Sequence, residues 1–595
     1  MRFKLRGIIK PPFLLLPLSC MIGNAMAVGF QLGEIDGQLD SSLSIGTSIS
    51  TANPDPEQLN SATGDDGRRN FRSGDVFSGI FKGSHDLELS QGDVGLFLRG
   101  SYWYDYVLRD QEQRFNNVED SNRKLSAKSA GAELLDAFVY YNYDLANQPG
   151  SARLGKQVVN WGESTFIQGG LNTVNPYNLS ALRRPGAEVK EGLVPVNMFY
   201  VSQNLSESIS GDFFYQLDWE QTQLDNCGTF FSSNDFLADG CDGLDVGAVL
   251  TGNAAAVAAL KPYGVNLTDE GIRIPRAKDQ DARNSGQWGL SLRWFAAELD
   301  TEFGAYAANY HSRLPYMGTI NSPYYNTAVA GLGASLNGAL RLGTSQYVAQ
   351  YPEDIRLYGL TFSTNLDSGT ALQGEVSYRP NLPVQLNGTD IIQSLLNSPA
   401  RSPLVAEGIR PPQENALFNG YRRKEVSQAQ VTATHSFAQV LGADQLVVVG
   451  EAGATWVGGL EGIYGPRYGR SGTYGSGVLA SGNCAAISKT PEHCNDDGFL
   501  TRFSWGYRLR SSLSYPNAIA GIDLRPNLSW QHDVDGNGPG EGSAFNEGSK
   551  AISVGLDASL NNTYNASLAI TDFIDGDYGT RGDRDYVSIS FGVNF

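Results

Sequence analysis

The chain has 595 residues, 41% of them hydrophobic, and a mean hydropathy of −0.27. Beyond the first 30 residues it has no run of 18 apolar residues, which excludes a helical membrane protein. The formal net charge of −19 argues against nucleic acid as a partner, because a polyanion is repelled.

The N-terminus has the three parts of a secretory signal peptide. A basic start precedes a short apolar segment, residues 13–18, and Ala25-Met26-Ala27 offers a cleavage site. The alternative, a membrane anchor, requires a longer apolar segment than this one. We therefore predict removal of residues 1–27, which takes away four basic and no acidic residues and changes the net charge from −19 to −23.

Alternation of apolar and polar residues continues along the mature chain in stretches of about ten residues. In the first stretch, the apolar residues at 39, 43, 45 and 49 share one face of the predicted strand, and the polar residues at 38, 40, 42 and 44 share the other. Similar stretches cover 94–106, 209–219 and 552–560. A soluble β-sandwich also alternates, so this pattern predicts β-strands without deciding between a sandwich and a membrane barrel.

The connections between these stretches are alternately short and long. Short ones lie at 91–93, 147–150, 204–206 and 561–563. This layout is typical of bacterial outer-membrane barrels, with short periplasmic turns and long outer loops. It predicts about 18 strands (range 16–20) and periplasmic termini. The long connections are expected near 53–75, 109–130, 161–194, 220–285, 312–352, 380–420, 458–500 and 533–548, with a shorter one near 575–584.

The segment 161–194 is the most unusual of the long connections, because turn-forming residues and compact mixed charges occur together in it. We expect it to fold into the lumen, narrow it and line a ligand path. Charged side chains would orient a polar head group and the tryptophan would pack on an apolar body. An ordinary surface loop held by its own polar contacts is an equally open alternative. The candidate lumen residues are Trp161, Glu163, Asn172, Asn175, Arg183, Arg184 and Glu188.

Four cysteines of the mature chain form two local pairs, Cys227 with Cys241 and Cys484 with Cys494. Close pairs in Gly/Asn/Asp-rich segments indicate disulfides formed in an oxidising compartment. Metal ligands or free thiols are the alternatives, although no C-x-x-C motif is present. Short helices are expected at 254–260 and 390–396.

Motifs for enzymatic chemistry are absent from the sequence: it has no Walker A, H-E-x-x-H or G-x-S-x-G pattern, and its five histidines are scattered. We predict that the protein is not an enzyme. One stretch, Asp533, Asp535 and Asn537, matches the first half of an EF-hand loop, but the twelfth position is Ala544 instead of Glu. A solvated turn is favoured there over a weak Ca²⁺ site.

The last strand alternates up to the final residue. Such a strand resembles the C-terminal recognition strand of outer-membrane barrels, which the barrel assembly machinery binds during insertion. Its apolar face would comprise Val587, Ile589, Phe591, Val593 and Phe595.

Several segments together resemble a proteobacterial family of outer-membrane barrels catalogued as a domain of unknown function. The resemblance implies an outer-membrane location. It also implies a role beside an RND-type (MmpL-like) inner-membrane transporter and a lipoprotein-sorting-like periplasmic protein, in handling hydrophobic compounds. It supplies no catalytic residues. The matching segments are 155–166, 172–176, 184–188, Arg69–Asp75, Phe214–Glu220 and Gly374–Arg379.

Together these features predict an all-β fold, a monomeric transmembrane antiparallel β-barrel over residues 28–595, in the outer membrane of a Gram-negative bacterium. The expected function is passage of hydrophobic or amphipathic small molecules or lipids, with the RND-type system. Alternatives are a docking anchor with a closed lumen, a lipid-acting enzyme and a general porin. Outer-membrane lipids and lipopolysaccharide are expected neighbours, and acidic loops would bridge to lipopolysaccharide through divalent cations.

Overall fold

The computed structural model describes residues 28–540 and 545–595, so the predicted signal peptide and Ala544 lie outside the described residues. Eighteen antiparallel strands form one closed sheet, since each pairs with the next and the last pairs with the first. The predicted strand number is confirmed. The strands are β1 Ile35–Ser50, β2 Val76–Gln91, β3 Val94–Asp105, β4 Ala130–Leu145, β5 Gln148–Gln157, β6 Val196–Asn204, β7 Ile209–Gln216, β8 Trp288–Ala296, β9 Thr301–Tyr310, β10 Ile355–Asn365, β11 Ala371–Gln385, β12 Tyr421–Ala438, β13 Gln445–Val457, β14 Phe503–Ile519, β15 Ile522–Asp535, β16 Lys550–Leu560, β17 Tyr564–Ile574 and β18 Tyr586–Asn594.

Short and long connections alternate around the barrel as the sequence predicts. The turn between β4 and β5 consists of Ala146 and Asn147, both with positive φ (52° and 63°), the geometry of the tightest hairpins. At the other end the loops are long, and the loop between β7 and β8 covers residues 217–287. All long loops therefore lie at one end of the barrel, and the first and last described residues, Val28 and Phe595, lie towards the other.

Both predicted disulfides are confirmed and lie in long loops. Cys227 and Cys241 are bonded within the β7–β8 loop, with a Cα–Cα distance of 6.1 Å. Cys484 and Cys494 are bonded within the β13–β14 loop, with a Cα–Cα distance of 5.8 Å.

The outer face of the barrel is apolar and the inner face is polar. In β18, the side chains of Val587, Ile589, Phe591 and Val593 point outwards, while Ser588, Ser590 and Asn594 point inwards. Outward side chains are widely exposed, as for Leu360 (64%) and Ile45 (55%). A closed sheet with an outer apolar band is an outer-membrane-type barrel.

The two faces should respond differently to charge. Val554 and Ser553 are neighbours in β16, at the same height, and Val554 faces outwards whereas Ser553 bonds Thr571 across the inner face. We expect Val554→Arg to lower the free energy of unfolding by about 2–4 kcal/mol in lipid vesicles. Ser553→Arg, which puts the same charge in the lumen, is the control. In urea titrations it should lower the free energy of unfolding much less. Equal costs would contradict the assigned faces.

The long loops fold into a layer over one end of the barrel. Buried Leu260, Leu340, Ile391, Leu404 and Phe418 form part of its own apolar core. The two predicted helices are present, one at Ala254–Leu260 as expected and one at Gly388–Ser394, two residues before the expected 390–396. The layer and the loops around it contain α1 Asp66–Asn70, α2 Tyr106–Asp110, α3 Leu179–Arg183, α4 Ala254–Leu260, α5 Ala334–Thr344, α6 Gly388–Ser394, α7 Pro403–Ala406, α8 Cys484–Ile487 and short 3₁₀ turns at Gln58–Asn60, Leu125–Ala127, Val189–Glu191, Lys261–Tyr263, Ala297–Leu299, Gly472–Tyr474 and Pro491–His493.

Two small three-stranded sheets complete this layer. One consists of Asp245–Val246, Asn266–Thr268 and Gly271–Arg273, and the other of Tyr316–Ile320, Gln346–Gln350 and Leu417–Phe418. Within the described residues, no helix combines the length and apolar character needed to cross a membrane.

A further short strand, Val28–Leu32, precedes the barrel. It pairs with the first residues of β1, from Ile35 to Leu39. β18 pairs with β1 only from Ser42 to Ser50. The short strand therefore continues the sheet beyond the end of β18.

Candidate functional site

The segment 161–194, hereafter the crossing segment, connects the adjacent strands β5 and β6. It extends away from both strands before it returns to β6. Its two ends are held together by Asn175, which is 3% exposed. The Asn175 side-chain oxygen accepts from the Val159 N–H (2.9 Å), and its nitrogen donates to the Val194 carbonyl (2.9 Å). Between these ties, the segment extends towards two other parts of the barrel wall.

The first contact is with Glu375, an inward-facing, 3% exposed residue of β11. Its carboxylate accepts from the backbone N–H groups of Glu163 (2.7 Å), Ser164 (3.2 Å) and Leu171 (2.9 Å). The side chain of Gln430 on β12 donates to it as well (2.7 Å). Several donors on one buried carboxylate compensate for the loss of its hydration.

Glu451, near the middle of β13 and 2% exposed, holds the next three residues in the same way. It accepts from the backbone N–H groups of Thr165 (3.0 Å), Phe166 (2.6 Å) and Ile167 (2.9 Å). Two buried wall carboxylates therefore bind one turn-rich stretch of backbone. We call Glu375 and Glu451 the carboxylate clamp.

Donors on the same wall bind the carbonyl groups of that stretch. Arg379 on β11 donates to the carbonyls of Gly169 (2.6 Å) and Gly170. Gln428 on β12 donates to the carbonyl of Gln168 (2.9 Å). The backbone of the crossing segment is thus satisfied by inward-facing wall side chains on both its donor and acceptor sides.

The second contact is with a different part of the wall. Lys82 on β2 donates to the Gly186 carbonyl (2.7 Å) and forms an ion pair with Glu191 (2.7 Å). Arg184 donates to the Ser126 carbonyl (2.8 Å) and lies over the Trp103 ring, 4.1 Å from its centroid. Because β2 and β3 lie at least seven strands from β11–β13 in either direction around the sheet, the segment crosses the lumen.

Inward-facing glycines on the wall make room for the segment. A Cβ at Gly359 would lie 2.2 Å from Leu171, one at Gly453 2.8 Å from Ile167, and one at Gly46 2.6 Å from Pro185. Real Cβ atoms do not approach so closely, so a larger residue at any of these positions would force the facing side chain of the segment to move. The contact is therefore close-packed as well as hydrogen-bonded.

Trp161 anchors the start of the segment. It is 3% exposed and packs against Phe214 of β7 (ring centroids 4.9 Å apart) and Tyr306 of β9 (5.6 Å). Leu171 and Val174 belong to the same buried cluster. The structure thus places Trp161 in a packed core, where its ring is not available to a passing molecule.

The other predicted lumen residues have separate environments. Glu163 is half-buried, and burial raises the pKa of its carboxyl. Burial lowers the pKa of Arg184 to about 10, which leaves its guanidinium charged at neutral pH. Arg183 lies over Phe231, 4.6 Å from the ring centroid, and Asn172 accepts from the Tyr177 hydroxyl through its carbonyl (3.4 Å).

Glu188 is more exposed and forms an ion pair with Lys190 (3.1 Å). Both line a cavity of about 260 Å³ between the segment and the short-turn end of the barrel. Asp40, Asp86 and Phe595 contribute to the opposite side of this cavity. Charged groups of both signs therefore face the space below the segment.

The structure does not support the Ca²⁺ interpretation at Asp533, Asp535 and Asn537. Asp533 is 3% exposed and already paired with Arg508 (2.6 Å). The Asn537 side chain donates to the Phe499 carbonyl (3.2 Å) and accepts from the Glu547 N–H (3.1 Å). Because protein donors occupy the oxygens of Asp533 and Asn537, the structure favours a hydrogen-bonded turn over a Ca²⁺ site at these two residues.

A Ser–His pair exists, but it does not face the lumen. His85 Nδ1 lies 2.9 Å from Ser41 Oγ, on the outward face of β1 and β2. Among the described residues, no carboxylate is bonded to this histidine to orient it as the triad of a serine hydrolase requires.

Sequence reasoning missed Glu375, Glu451 and Arg379 as site residues. Glu375 and Arg379 lie in the segment Gly374–Arg379, which takes part in the family resemblance, and that resemblance was the indication that these two residues matter. Glu451 stands in an ordinary alternating stretch, so its role could not be inferred without knowing which strands the segment reaches.

Comparison with known families covers almost the whole chain. The model of the family described as "Protein of unknown function (DUF1302)" matches residues 12–595. The chain belongs to this family. No curated protein matches this DUF1302 chain.

Several solved structures are similar to this DUF1302 member at low identity. OccAB1 of Acinetobacter baumannii is 9% identical, with 96% of this chain and 98% of that chain covered and a TM-score of 0.41. OccK9 (OpdG) of Pseudomonas aeruginosa is 9% identical over 94% and 97%, with a TM-score of 0.40. The outer membrane channel DcaP of Acinetobacter baumannii is 10% identical over 96% and 100%, with a TM-score of 0.34.

Proposed function

We propose that the protein is an outer-membrane channel for small molecules and that the crossing segment limits what passes. The observation that carries this proposal is the carboxylate clamp. Glu375 and Glu451 accept hydrogen bonds from the backbone N–H groups of six residues, 163–167 and 171, in a segment that starts at another part of the wall. Two buried carboxylates of the barrel wall bind this one lumen segment, and this arrangement keeps the segment in place.

Selection in such a channel would be steric and electrostatic. Thr165, Gln168 and Gly169 are the exposed residues of the clamped stretch, and Glu188 and Lys190 face the cavity below. Molecules would pass between polar groups of both signs. This lining supports amphipathic molecules with a polar head group as cargo better than wholly apolar ones.

Cooperation with an RND-type inner-membrane transporter and a lipoprotein-sorting-like periplasmic protein is part of the proposal. It is supported by the family resemblance alone. The short-turn end of the barrel, towards which Val28 and Phe595 lie, is the end that would face such partners. Outer-membrane location, export by the N-terminal signal and recognition of the strand ending at Phe595 by the assembly machinery belong to the same proposal.

Deletion of residues 165–185 tests the channel function. Wild-type protein in planar bilayers should give small conductance steps, and the deletion should increase them several-fold because the lumen loses its obstruction. Liposome swelling with solutes of graded size would report the same change. Unchanged conductance and uptake after the deletion would contradict the proposal.

A second function is favoured by the folded loop layer over the barrel, whose core includes Leu340 and Ile391. A barrel closed at this end would serve as an outer-membrane anchor for a trans-envelope complex. A wild-type protein that never conducts, together with recovery of periplasmic proteins on crosslinking in cells, would favour this anchor over the channel.

A further inference from the structure

Three carboxylates from two different long loops converge near the end of the barrel. Asp65 and Asp66 lie at the start of α1, in the β1–β2 loop, and Asp235 lies in the β7–β8 loop. One oxygen from each lies within 4.8 Å of the others. Carboxylates at such distances repel one another unless a cation or protons separate them.

Two of the three side chains are almost completely buried, and three of their four carboxylate oxygens receive no hydrogen bond. Asp65 is 0% exposed, and neither of its carboxylate oxygens receives a hydrogen bond, although Arg69 Nε lies 2.6 Å from Oδ2. Asp235 is 4% exposed; its Oδ2 accepts weakly from the Asp66 N–H (3.3 Å), and its Oδ1 has no donor. A buried carboxylate oxygen without a partner is costly, so these oxygens point to a missing positive ligand.

The charges nearby do not balance. Glu270, from the small sheet of the β7–β8 loop, adds a fourth carboxylate, and its Oε1 also lacks a hydrogen bond. Among the described residues, the ion pairs of these four carboxylates involve one cation, Arg69, which lies 3.4 Å from Glu270. Arg273 also lies near Asp66 and Glu270, but it is already paired with Asp245 (2.5 Å), so the four carboxylates keep an excess of negative charge in a buried place.

The geometry of the cluster is fixed by its surroundings. The Cys227–Cys241 disulfide closes the stretch that carries Asp235. A Cβ at Gly64 would lie 2.6 Å from the Ser233 carbonyl, and one at Gly67 2.1 Å from the Thr229 carbonyl. The two loops are thus in backbone contact on both sides of Asp65 and Asp66, which keeps the carboxylates together before any ligand binds.

We propose that Asp65, Asp66 and Asp235 bind a divalent cation of the Ca²⁺ type, with Glu270 at its edge, and that this ion joins the β1–β2 and β7–β8 loops. Oxygen-only ligands in a carboxylate-rich set suit Ca²⁺, whereas sites for Zn²⁺ or Cu²⁺ usually include imidazole or thiolate. The proposal is independent of whether the lumen conducts.

The test uses full-length protein in detergent, freed of metal with a chelator and titrated with CaCl₂ by calorimetry. We expect one Ca²⁺ per chain and a melting temperature that rises when Ca²⁺ is added. Tb³⁺ luminescence, excited through nearby aromatic rings and displaced by Ca²⁺, would report the same site. Absence of saturable binding would overturn the proposal and leave a cluster neutralised by protons.

Variants locate the ion. Asp235→Asn should weaken Ca²⁺ binding by at least about tenfold. Glu270→Gln, at a more exposed residue, should also weaken it. Asp239→Asn is the matched control, because Asp239 lies four residues away in the same loop and bonds Gln221 (2.7 Å) outside the cluster. Binding that survives Asp235→Asn and Glu270→Gln but is lost in Asp239→Asn would contradict the assigned site. Glu270→Gln keeps the test valid if Asp235→Asn fails to fold.

Discussion

Replacing Glu375 and Glu451 together by glutamine is expected to raise single-channel conductance several-fold without opening the barrel itself. Glutamine keeps the size of each side chain but exchanges one accepting oxygen for an NH₂ group, which faces backbone N–H donors at 2.6–3.2 Å. Hydrogen bonds to charged groups contribute about 1.5–3 kcal/mol each, so the loss over several bonds should detach residues 163–171 from the wall.

Asp557→Asn provides the control for this double substitution. Asp557 also faces the lumen, on β16, but its hydrogen bond is to Asn527 (2.8 Å) and it does not touch the crossing segment. Its removal should alter ion selectivity slightly and leave the step size within about twofold. A double variant that conducts as the wild type does, with a normally folded barrel, would show that the carboxylate clamp does not hold a constriction.

Replacing Trp161 by alanine should weaken the attachment of the segment by about 3–5 kcal/mol, the usual cost of truncating a buried tryptophan. Trp161 is 3% exposed between Phe214 and Tyr306, so alanine would leave a cavity beside the wall. The measurement is the rate of limited proteolysis within 161–194 in the folded, detergent-solubilised barrel, which should increase strongly while the barrel strands remain resistant.

Trp161→Phe separates packing from the indole N–H. The Trp161 Nε1 atom is buried without a hydrogen-bond partner, so phenylalanine removes an unsatisfied donor while keeping most of the ring. Limited proteolysis within 161–194 should proceed at nearly the wild-type rate in this variant. Equal protection of the alanine variant would mean that Trp161 does not anchor the segment.

The barrel could be predicted because its rules are local. Alternation, such as that from Val587 to Phe595, fixes which face of a strand points outwards, and turn length fixes which end of the barrel a connection lies at. The cysteine pairs follow from the same counting, because Cys227 and Cys484 both fall in long connections. None of these inferences requires knowledge of a distant contact.

The site could be predicted only in part, because it depends on contacts between distant residues. Arg184 belongs to the segment that composition singled out, but its partner, the Ser126 carbonyl, lies 58 positions earlier in another loop. Trp161 was expected to meet a ligand and is instead packed against the wall. The carboxylate clamp joins residues more than 200 positions apart, and no local pattern specifies that pairing.

The short strand Val28–Leu32 has a consequence for the integrity of the seam between β1 and β18. β18 ends opposite Ser42, so the first residues of β1 would otherwise present unpaired backbone N–H and C=O groups. Exposed edges of this kind recruit strands from other molecules. By pairing Ile35 to Leu39 with its own preceding residues, the chain covers this end of β1 at the seam, where a strand from a neighbouring molecule could otherwise pair.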